Sequence, residues 1–440
     1  MKPADYQIDA SGFMFERNAS MMFAKVGTGK TLTYLLTIQD LIEAGVIRRA
    51  LVVPPLRVAK FVWRQELAKW QIPLTMSLCT GEMTKNQQRA AIEADTDILV
   101  ANYDIMEKLL EDDTHRCDGL VFDELSKLRN PTGKRQKAAR RGKFIWRSGG
   151  TGTPAPNGLG SIYGMAHAVG LGHLVGRNHD VWRRRFFYPT DYEQRNWAPF
   201  PDTEEKLAAL IKPHTYVLED DAVELPPVVR PPMDIELPRS LRRTYDEMRA
   251  TSLLSDEELV IAGSAAVLRM KLRQITSGFA YRSDGTSASF DPYRLEILAD
   301  IVEEMQGRPI IIAYEFREQL AMMQKKWGVQ FRYIGGGSTD DEKTIDDWNA
   351  GRLPVLGLHP AAIGHGANLQ FGGNAIAWWQ VPDDLELYDQ TIGRLVRRGQ
   401  AGAVVYSYEP TALDTVDVAV RARAVDKTRV QDGLWAALRR

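Results

Sequence analysis

Short apolar segments alternate with amphipathic segments through the first 150 residues of the chain. Each apolar segment is followed by a polar or glycine-containing turn and then by a helical pattern. This alternation is typical of a doubly wound α/β sheet with buried parallel strands. Ligands bind at the carboxyl ends of the strands in such sheets, so functional residues are expected directly after these segments. The predicted strands are Met21 to Ala24, Ala50 to Val53, Ile98 to Ala101, Leu120 to Phe122 and Phe144 to Trp146.

The second half of the chain shows the same kind of pattern without an internal sequence repeat. The length of 440 residues exceeds what one hydrophobic core usually supports, so two domains are expected. Two helical segments come first, Leu241 to Met248 and Ala265 to Ile275. A second α/β lobe is predicted from the strands Pro309 to Tyr314, Val355 to Leu358, Ala375 to Trp379 and Ala403 to Tyr408.

A proline-rich segment at residues 226–232 marks the predicted domain boundary. It cannot be helical and suits a stiff extended linker. We therefore predict an N-terminal domain of residues 1–228 and a C-terminal domain of residues 229–440. The first contains an irregular or helical excursion at about residues 158–210, and the second a helical part at about residues 240–290.

Composition places the chain among ordinary folded proteins, with 44% hydrophobic and 26% charged residues. The first ten residues have no apolar run, so neither a signal peptide nor a membrane anchor is expected, and the predicted location is the cytoplasm of a bacterial or phage-infected cell. The cysteines, Cys79 and Cys117, have no zinc or disulfide spacing and are expected to be buried thiols.

The net charge of −1 argues against a uniformly basic surface, but local basic clusters exist. One cluster comprises Arg183, Arg184 and Arg185 beside aromatic residues. The other cluster comprises Lys134, Arg135, Lys137, Arg140, Arg141 and Lys143. Either cluster is compatible with a solvated face or with contacts to phosphates.

The strongest local motif runs from Ala24 to Thr31, between a predicted strand and a predicted helix. Two glycines let backbone N–H groups approach phosphate oxygens, and the helix start adds a positive dipole. Lys30 is expected to reach the β and γ phosphates, and Thr31 to ligate Mg²⁺. This pattern predicts a phosphate-binding loop for ATP. Its candidate ATP contacts are Gly27, Thr28, Gly29, Lys30 and Thr31.

Two acidic residues, Asp123 and Glu124, follow the fourth predicted strand. Paired acids at this place are often only the start of a helix, where they complement its dipole. Together with the phosphate loop they predict catalysis. Asp123 would hold Mg²⁺, and Glu124 would polarise the attacking water.

Basic residues near the end of the chain form a third motif, from Gln390 to Gln400. Arg394 and Arg397 are three residues apart and are expected on one face of a helix. If that face meets the γ-phosphate, Arg397 can stabilise transition-state charge, which is worth roughly 10³–10⁵ in rate, or about 4–7 kcal/mol. The alternative is a basic helix on the surface.

In this order the motifs resemble the Swi/Snf-type branch of superfamily-2 helicases, in its compact bacteriophage or bacterial form, over nearly the whole chain. The resemblance implies two tandem RecA-like doubly wound parallel-sheet lobes with an ATP cleft between them. It implies a DNA-dependent ATPase that uses ATP and Mg²⁺ and moves along duplex DNA by holding its backbone. Phosphate contacts of this kind are independent of sequence and strongly salt-dependent.

Individual motifs carry the resemblance. Gln7 matches the family's adenine-reading glutamine, Thr151 to Asn157 its Thr-Gly-Thr-Pro loop, and Gly364 to Leu369, including Gly366, its motif V. Gln390, with the two arginines, belongs to motif VI. One departure is Ser126, which stands where the family usually has the histidine of Asp-Glu-Ala-His.

Further residues are expected to contact nucleic acid because they match the family's DNA-tracking elements or lie in loops near them. They are Pro55, Arg57, Thr80, Gly81, Asn102, Thr151, Thr153, Ser338, Thr339 and Asn368.

Two other functions are compatible with the same ATP motifs. One is a strand-separating or branch-migrating helicase on DNA or RNA, which needs a wedge element that the sequence does not display. The other is an ATP-gated adaptor that binds DNA and recruits a nuclease or replication partner. The sequence identifies no protein partner and no membrane contact.

Overall fold

The computed structural model describes residues 2–25, 27–112, 115–156, 158–218, 224–254, 262–282, 286–328, 331–363 and 367–439. Contacts divide the chain into two compact units. Unit 1 comprises Met1–Glu224 and Lys427–Arg440, and unit 2 comprises Leu225–Asp426. Each unit contains one large parallel sheet.

Unit 1 is built around a seven-stranded sheet in the order β3-β4-β2-β5-β6-β1-β9, and all six strand pairs are parallel. Its central strands at Ala50–Val53 and Ile98–Ala101 are buried at every residue, which is typical of parallel sheets. The strands of unit 1 are β1 Ala19–Phe23, β2 Ala50–Val53, β3 Met76–Cys79, β4 Ile98–Ala101, β5 Gly119–Asp123, β6 Trp146–Thr151, β7 Phe187–Pro189, β8 Trp197–Pro199 and β9 Thr215–Val217.

Helices connect these strands. The α-helices are α1 Asp5–Phe15, α2 Lys30–Glu43, α3 Trp63–Trp70, α4 Lys85–Glu93, α5 Tyr103–Asp112, α6 Lys134–Arg141, α7 Ser161–Ala168, α8 Gly172–Val175, α9 His179–Phe186 and α10 Thr203–Ile211. A π-helix spans Val58–Val62, and 3₁₀ turns span Leu125–Leu128 and Lys212–His214. The predicted excursion at 158–210 contains α7 to α10 and the antiparallel β7-β8 hairpin.

The fifth predicted strand is displaced. It was expected at Phe144 to Trp146, but β6 begins at Trp146 and continues through polar residues and glycines. A Cβ at Gly149 would lie 2.8 Å from Leu125, and one at Gly150 would lie 2.7 Å from the Tyr34 hydroxyl. The strand therefore uses glycine where neighbouring side chains approach its backbone, and its sequence carries no apolar signal.

Unit 2 contains a six-stranded parallel sheet in the order β10-β18-β17-β14-β16-β15. Its strands are β10 Val228–Val229, β11 Asp234–Ile235, β12 Phe279–Tyr281, β13 Ser287–Ser289, β14 Ile310–Ala313, β15 Arg332–Ile334, β16 Val355–Leu358, β17 Ala375–Trp378, β18 Val405–Tyr408 and β19 Thr411–Ala412. The helices are α11 Arg239–Leu254, α12 Ala262–Thr276, α13 Tyr293–Glu304, α14 Arg317–Trp327, α15 Asp341–Asn349, α16 Pro360–Ile363, α17 Leu385–Ile392 and α18 Val416–Arg439, which belongs to unit 1 from Lys427 onward.

The two parallel sheets confirm the predicted fold class of tandem doubly wound α/β lobes. The proline-rich segment is extended, as expected, but it is more than a linker, because Val228 and Val229 form an edge strand of the second sheet. The contacts also divide the chain differently from the predicted boundary after residue 228. The last residues join unit 1 because Leu434, Trp435 and Leu438 are buried in its hydrophobic core.

Candidate active site

The phosphate loop connects β1 to α2 in unit 1. Gly27 has a φ of 87° and Gly29 a φ of 78°, a left-handed conformation that glycine adopts without strain. The Lys30 ammonium donates to the carbonyl oxygens of Ala24, at 2.8 Å, and Lys25, at 3.1 Å. The loop therefore folds around its own lysine at the start of a 14-residue helix, and phosphate binding by this loop stays a prediction. Val26 lies outside the described residues.

Helix α1 packs against this loop. The Tyr6 hydroxyl donates to the Thr28 carbonyl at 2.8 Å, and the Gln7 side-chain amide donates to the Gly29 carbonyl at 3.3 Å. A Cβ at Gly29 would lie 2.5 Å from the Gln7 amide nitrogen, and the φ of 78° would strain any other residue, so both features favour glycine there. The structure thus brings the predicted adenine-reading residue and the phosphate loop together, and reading of the base stays a prediction.

Asp123 ends β5, at the same sheet edge as the phosphate loop, since β5 pairs with β6 and β6 with β1. The Trp63 indole N–H donates to Asp123 Oδ2 at 3.1 Å. Burial raises the pKa of Asp123, while the positive charge of Lys30 and the Trp63 hydrogen bond oppose that rise. A carboxylate beside the loop lysine fits a divalent cation, with Thr31 in the first turn of α2 as the second predicted ligand.

Glu124 is held in a left-handed backbone conformation, with φ 92° and ψ 66°, which is uncommon for a residue with a side chain. Its N–H donates to the Gly150 carbonyl at 3.0 Å, and its own carbonyl accepts from the Tyr103 hydroxyl at 2.9 Å. Both backbone polar groups are thus bonded to neighbouring segments of unit 1, and these bonds fix the strained conformation.

The carboxylate of Glu124 is fixed as well. Its Oε1 accepts hydrogen bonds from the hydroxyls of Ser126 and Thr151, each at 2.8 Å. The Thr153 N–H in turn donates to the Thr151 hydroxyl at 3.0 Å. Ser126 occupies the position at which the sequence departs from the histidine of related motifs. A hydroxyl there joins Thr151, in the Thr-Gly-Thr-Pro loop, on the same carboxylate oxygen of Glu124.

Four of the residues predicted to contact nucleic acid are buried. Thr80, Asn102, Thr151 and Thr153 are all at most 3% exposed. Asn102 Oδ1 accepts from the Gly81 N–H at 3.2 Å, so its side chain holds the exposed loop after β3. In this conformation these four side chains fit a role in positioning loops better than a direct contact, and the contact itself stays a prediction.

Other predicted nucleic-acid residues reach the surface. Pro55, Arg57 and Ser338 are half-buried, and Gly81, Thr339 and Asn368 are exposed. Gly364, His365 and Gly366, part of the predicted motif V, lie outside the described residues, as does Asn157.

The third motif differs from its prediction. Helix α17 ends at Ile392, so Arg394 and Arg397 lie in the turns that follow it and not on one helical face. After the helix, the Arg394 N–H bonds to the Thr391 carbonyl three residues back, at 3.0 Å, and the Leu395 N–H to the Ile392 carbonyl at 2.9 Å, so the chain continues in tighter turns.

Arg394 and Arg397 have different surroundings in unit 2. The Arg394 side chain is buried, whereas that of Arg397 is half-buried. Arg397 Nε donates to the Gly393 carbonyl at 2.9 Å, and its guanidinium also donates to Asn368 Oδ1. Desolvation lowers the pKa of Arg397 to about 10, so it remains charged at neutral pH. Gln390 is buried and donates to Glu386 at 3.1 Å.

Sequence reasoning missed three supporting residues. Trp63 begins α3, Tyr103 begins α5 and Ser126 follows β5, but no local pattern indicates that they bond to Asp123 or Glu124. The available signal was that Tyr103 and Ser126 closely follow the carboxyl ends of β4 and β5.

Two parallel α/β lobes with these motifs define the class of helicase-like ATPases, and comparisons with known proteins identify the family. The chain belongs to the SNF2-related family: the SNF2-related domain matches residues 6–276, and the helicase conserved C-terminal domain matches residues 293–399. The protein is therefore an enzyme, a DNA-dependent, helicase-like ATPase.

Two similar proteins cover almost the whole chain. "Putative protein p41" of Acyrthosiphon pisum secondary endosymbiont phage 1 is 30% identical over 465 residues, which cover 100% of this chain and 99% of that protein. The Sulfolobus solfataricus SWI2/SNF2 ATPase core, solved in complex with dsDNA, is 20% identical, with a TM-score of 0.46, covering 99% of this chain and 95% of that chain. Within the described residues, every helix is too short or too polar to span a bilayer.

Proposed function

We propose that the protein is a double-stranded DNA translocase that hydrolyses ATP to ADP and phosphate. The observation that carries this proposal is the arrangement at one sheet edge of unit 1. There the phosphate loop follows β1, and Asp123 and a firmly held Glu124 carboxylate lie at the end of β5, with β6 pairing in parallel with both strands. Membership of the SNF2-related family supports DNA as the polymer.

The chain's own residues would act as follows. Lys30 would leave the Ala24 and Lys25 carbonyls to bind the β and γ phosphates. Because Ser126 and Thr151 both donate to Oε1, the other oxygen of Glu124 remains available to orient water and accept its proton. Mg²⁺, held by Asp123 and Thr31, would supply positive charge to the phosphates when bound.

The remaining assignments belong to the same proposal. Arg397 would stabilise charge on the γ-phosphate, and exposed loop residues such as Gly81 and Thr339 would hold the DNA backbone. The relative from a phage favours action in the cytoplasm of a phage-infected bacterium.

The test is ATP hydrolysis at fixed salt without polymer and with duplex DNA, single-stranded DNA, forked DNA or RNA. Wild type is compared with Glu124→Gln and with Glu93→Gln, a control that removes an exposed carboxylate on α4. We expect stimulation by duplex DNA that Glu124→Gln abolishes and Glu93→Gln retains. A triplex-displacement assay then follows movement, and loss of the third strand without separation of the duplex indicates translocation.

Other results favour the alternatives. Stimulation chiefly by forked DNA or RNA, with strand separation, would support an unwinding helicase. Hydrolysis that no polymer stimulates would contradict the translocase and support an ATP-gated adaptor.

A further inference from the structure

A second basic site lies in unit 1 at the opposite end of its sheet from the phosphate loop. A cleft of about 470 Å³ opens at the amino ends of β1 and β6, next to Asn18, Ala19 and Ile145. The phosphate loop follows the carboxyl end of β1, so the length of this strand separates the two sites. The volume is in the range of sites for small ligands or parts of larger ones.

Positive or protonatable side chains dominate this cleft. Arg140, Arg147, Arg177, His167 and His173 line it, and no aspartate or glutamate is among its lining residues. Arg140, Arg177 and His173 are exposed, so their side chains can reach a ligand from the rim. A concave surface with charges of one sign concentrates ions of the opposite sign.

Arg147 places a charge in the wall of the cleft without a carboxylate partner among the described residues. Its guanidinium donates to the carbonyls of Ala139, at 3.0 Å, Ala168, at 3.3 Å, and Gly142. Desolvation lowers the pKa of Arg147, and no neighbouring acid opposes that effect. Carbonyls satisfy its hydrogen bonds but leave its net charge uncompensated, and an anion in the cleft would compensate it.

The basic surface continues from the cleft along α6. Lys137 precedes Arg140 by three residues and therefore shares its face of the helix. Lys137, Arg141 and Lys143 are exposed, and none of them forms an ion pair within the described part of the chain. Arg135, in contrast, is paired with Asp104. An extended row of cations fits successive phosphates of a polymer better than a single small anion.

We propose that this cleft, with the adjoining face of α6, is a second contact for the phosphate backbone of nucleic acid, separate from the ATP site and from the loops at the carboxyl edge of the sheet. The inference rests on the proposed function, since it assigns the phosphates to the DNA on which the enzyme acts. The sequence left open whether the basic cluster from Lys134 to Lys143 is a solvated face or a phosphate contact, and the inference makes it a phosphate contact.

The test is duplex DNA binding without nucleotide over a series of salt concentrations. The Arg140→Ala/Arg177→Ala variant removes two exposed charges from the cleft. Arg48→Ala/Arg89→Ala is its matched control, because it removes two exposed arginines that do not line the cleft. The affinity for DNA falls as salt rises, and each lost phosphate contact makes the slope of log K against log salt less steep by about 0.9. The slope of the cleft variant should therefore be less steep than that of wild type by about 2. The control should keep the wild-type slope.

A salt slope that the cleft variant leaves unchanged, or reduces no more than the control does, would overturn the inference. If that variant also loses pyrophosphate binding, measured by calorimetry in a Lys30→Ala background, the cleft is instead assigned to small anions. If wild-type hydrolysis is not stimulated by DNA, the proposed function fails, whereas stimulated hydrolysis with an unchanged slope refutes only the second contact.

Discussion

Removal of the Ser126 hydroxyl tests how Glu124 is positioned. Ser126 and Thr151 each donate to Glu124 Oε1 at 2.8 Å, and all three side chains are buried. Ser126→Ala deletes one donor without adding volume. The carboxylate then keeps a single hydroxyl partner and can rotate away from the direction in which it would accept a proton from water.

The expected loss can be worked out from this geometry. A hydrogen bond to a charged group contributes about 1.5–3 kcal/mol. Since Thr151 still donates to the same oxygen, we expect the lower end, about 1.5 kcal/mol, which corresponds to roughly a tenfold fall in kcat. Adding Thr151→Val should reduce kcat by more than the product of the two single effects, because Oε1 then loses its last hydroxyl donor.

The assay is DNA-stimulated ATP hydrolysis at saturating DNA, with kcat and KM determined separately. KM for ATP should change little, because the phosphate loop is intact. Ser126→Thr, which retains a hydroxyl, should recover most of kcat. Ser161→Ala is the matched control, since it removes a buried hydroxyl of unit 1 that has no partner among the described residues. If Ser126→Ala keeps kcat within twofold of wild type, Ser126 does not position Glu124.

Three further outcomes are expected. Arg397→Lys should lower kcat at least tenfold, because the variant keeps the charge but loses the two-pronged guanidinium. Nucleotide affinity, measured by fluorescence titration, should change little. An unchanged kcat would remove Arg397 from the site. Because burial raises the pKa of Asp123, its ionisation costs stability as pH rises from the ordinary aspartate value through the raised folded-state value. Asp123→Asn should therefore raise the melting temperature of ligand-free protein above that of wild type at pH 7 and change it less near pH 3, and it should abolish hydrolysis. A variant that melts below wild type at pH 7 would contradict this. Burial raises the pKa of Cys79 to about 11 and that of Cys117 to about 12. Neither thiol should therefore react with a maleimide at pH 8 until the protein is unfolded, and mass spectrometry of the treated protein measures this.

Central strands were predictable because they are apolar at every position. The predicted bounds of Ala50–Val53, Ile98–Ala101 and Val355–Leu358 agree with the structure, and the first two are buried at all four residues. Edge strands were not predicted. Met76–Cys79 and Arg332–Ile334 are only partly buried, since one side of each strand has no neighbour in the sheet, and their sequences are correspondingly mixed.

The site was predictable where its chemistry follows strand ends directly. Parallel strands of one sheet place their carboxyl ends at the same edge, and this brought Lys30, after β1, and Asp123, at the end of β5, to one edge of the sheet. Helix length was harder to read. The segment after Ile392 keeps a helical spacing of arginines, but the helix ends before both, and the Arg394 N–H bonds to the Thr391 carbonyl in a tighter turn.

The backbone of Glu124 shows what a motif cannot display. A left-handed residue with a side chain costs about 1–3 kcal/mol and persists where surrounding contacts hold it. One of those contacts comes from Tyr103, whose neighbour Asn102 bonds to the loop at Gly81. The segment after β4 therefore touches both a loop expected to contact DNA and the carbonyl of the residue expected to activate water. A shift of that segment on DNA binding would alter the support of Glu124, which gives a physical route by which DNA can stimulate hydrolysis.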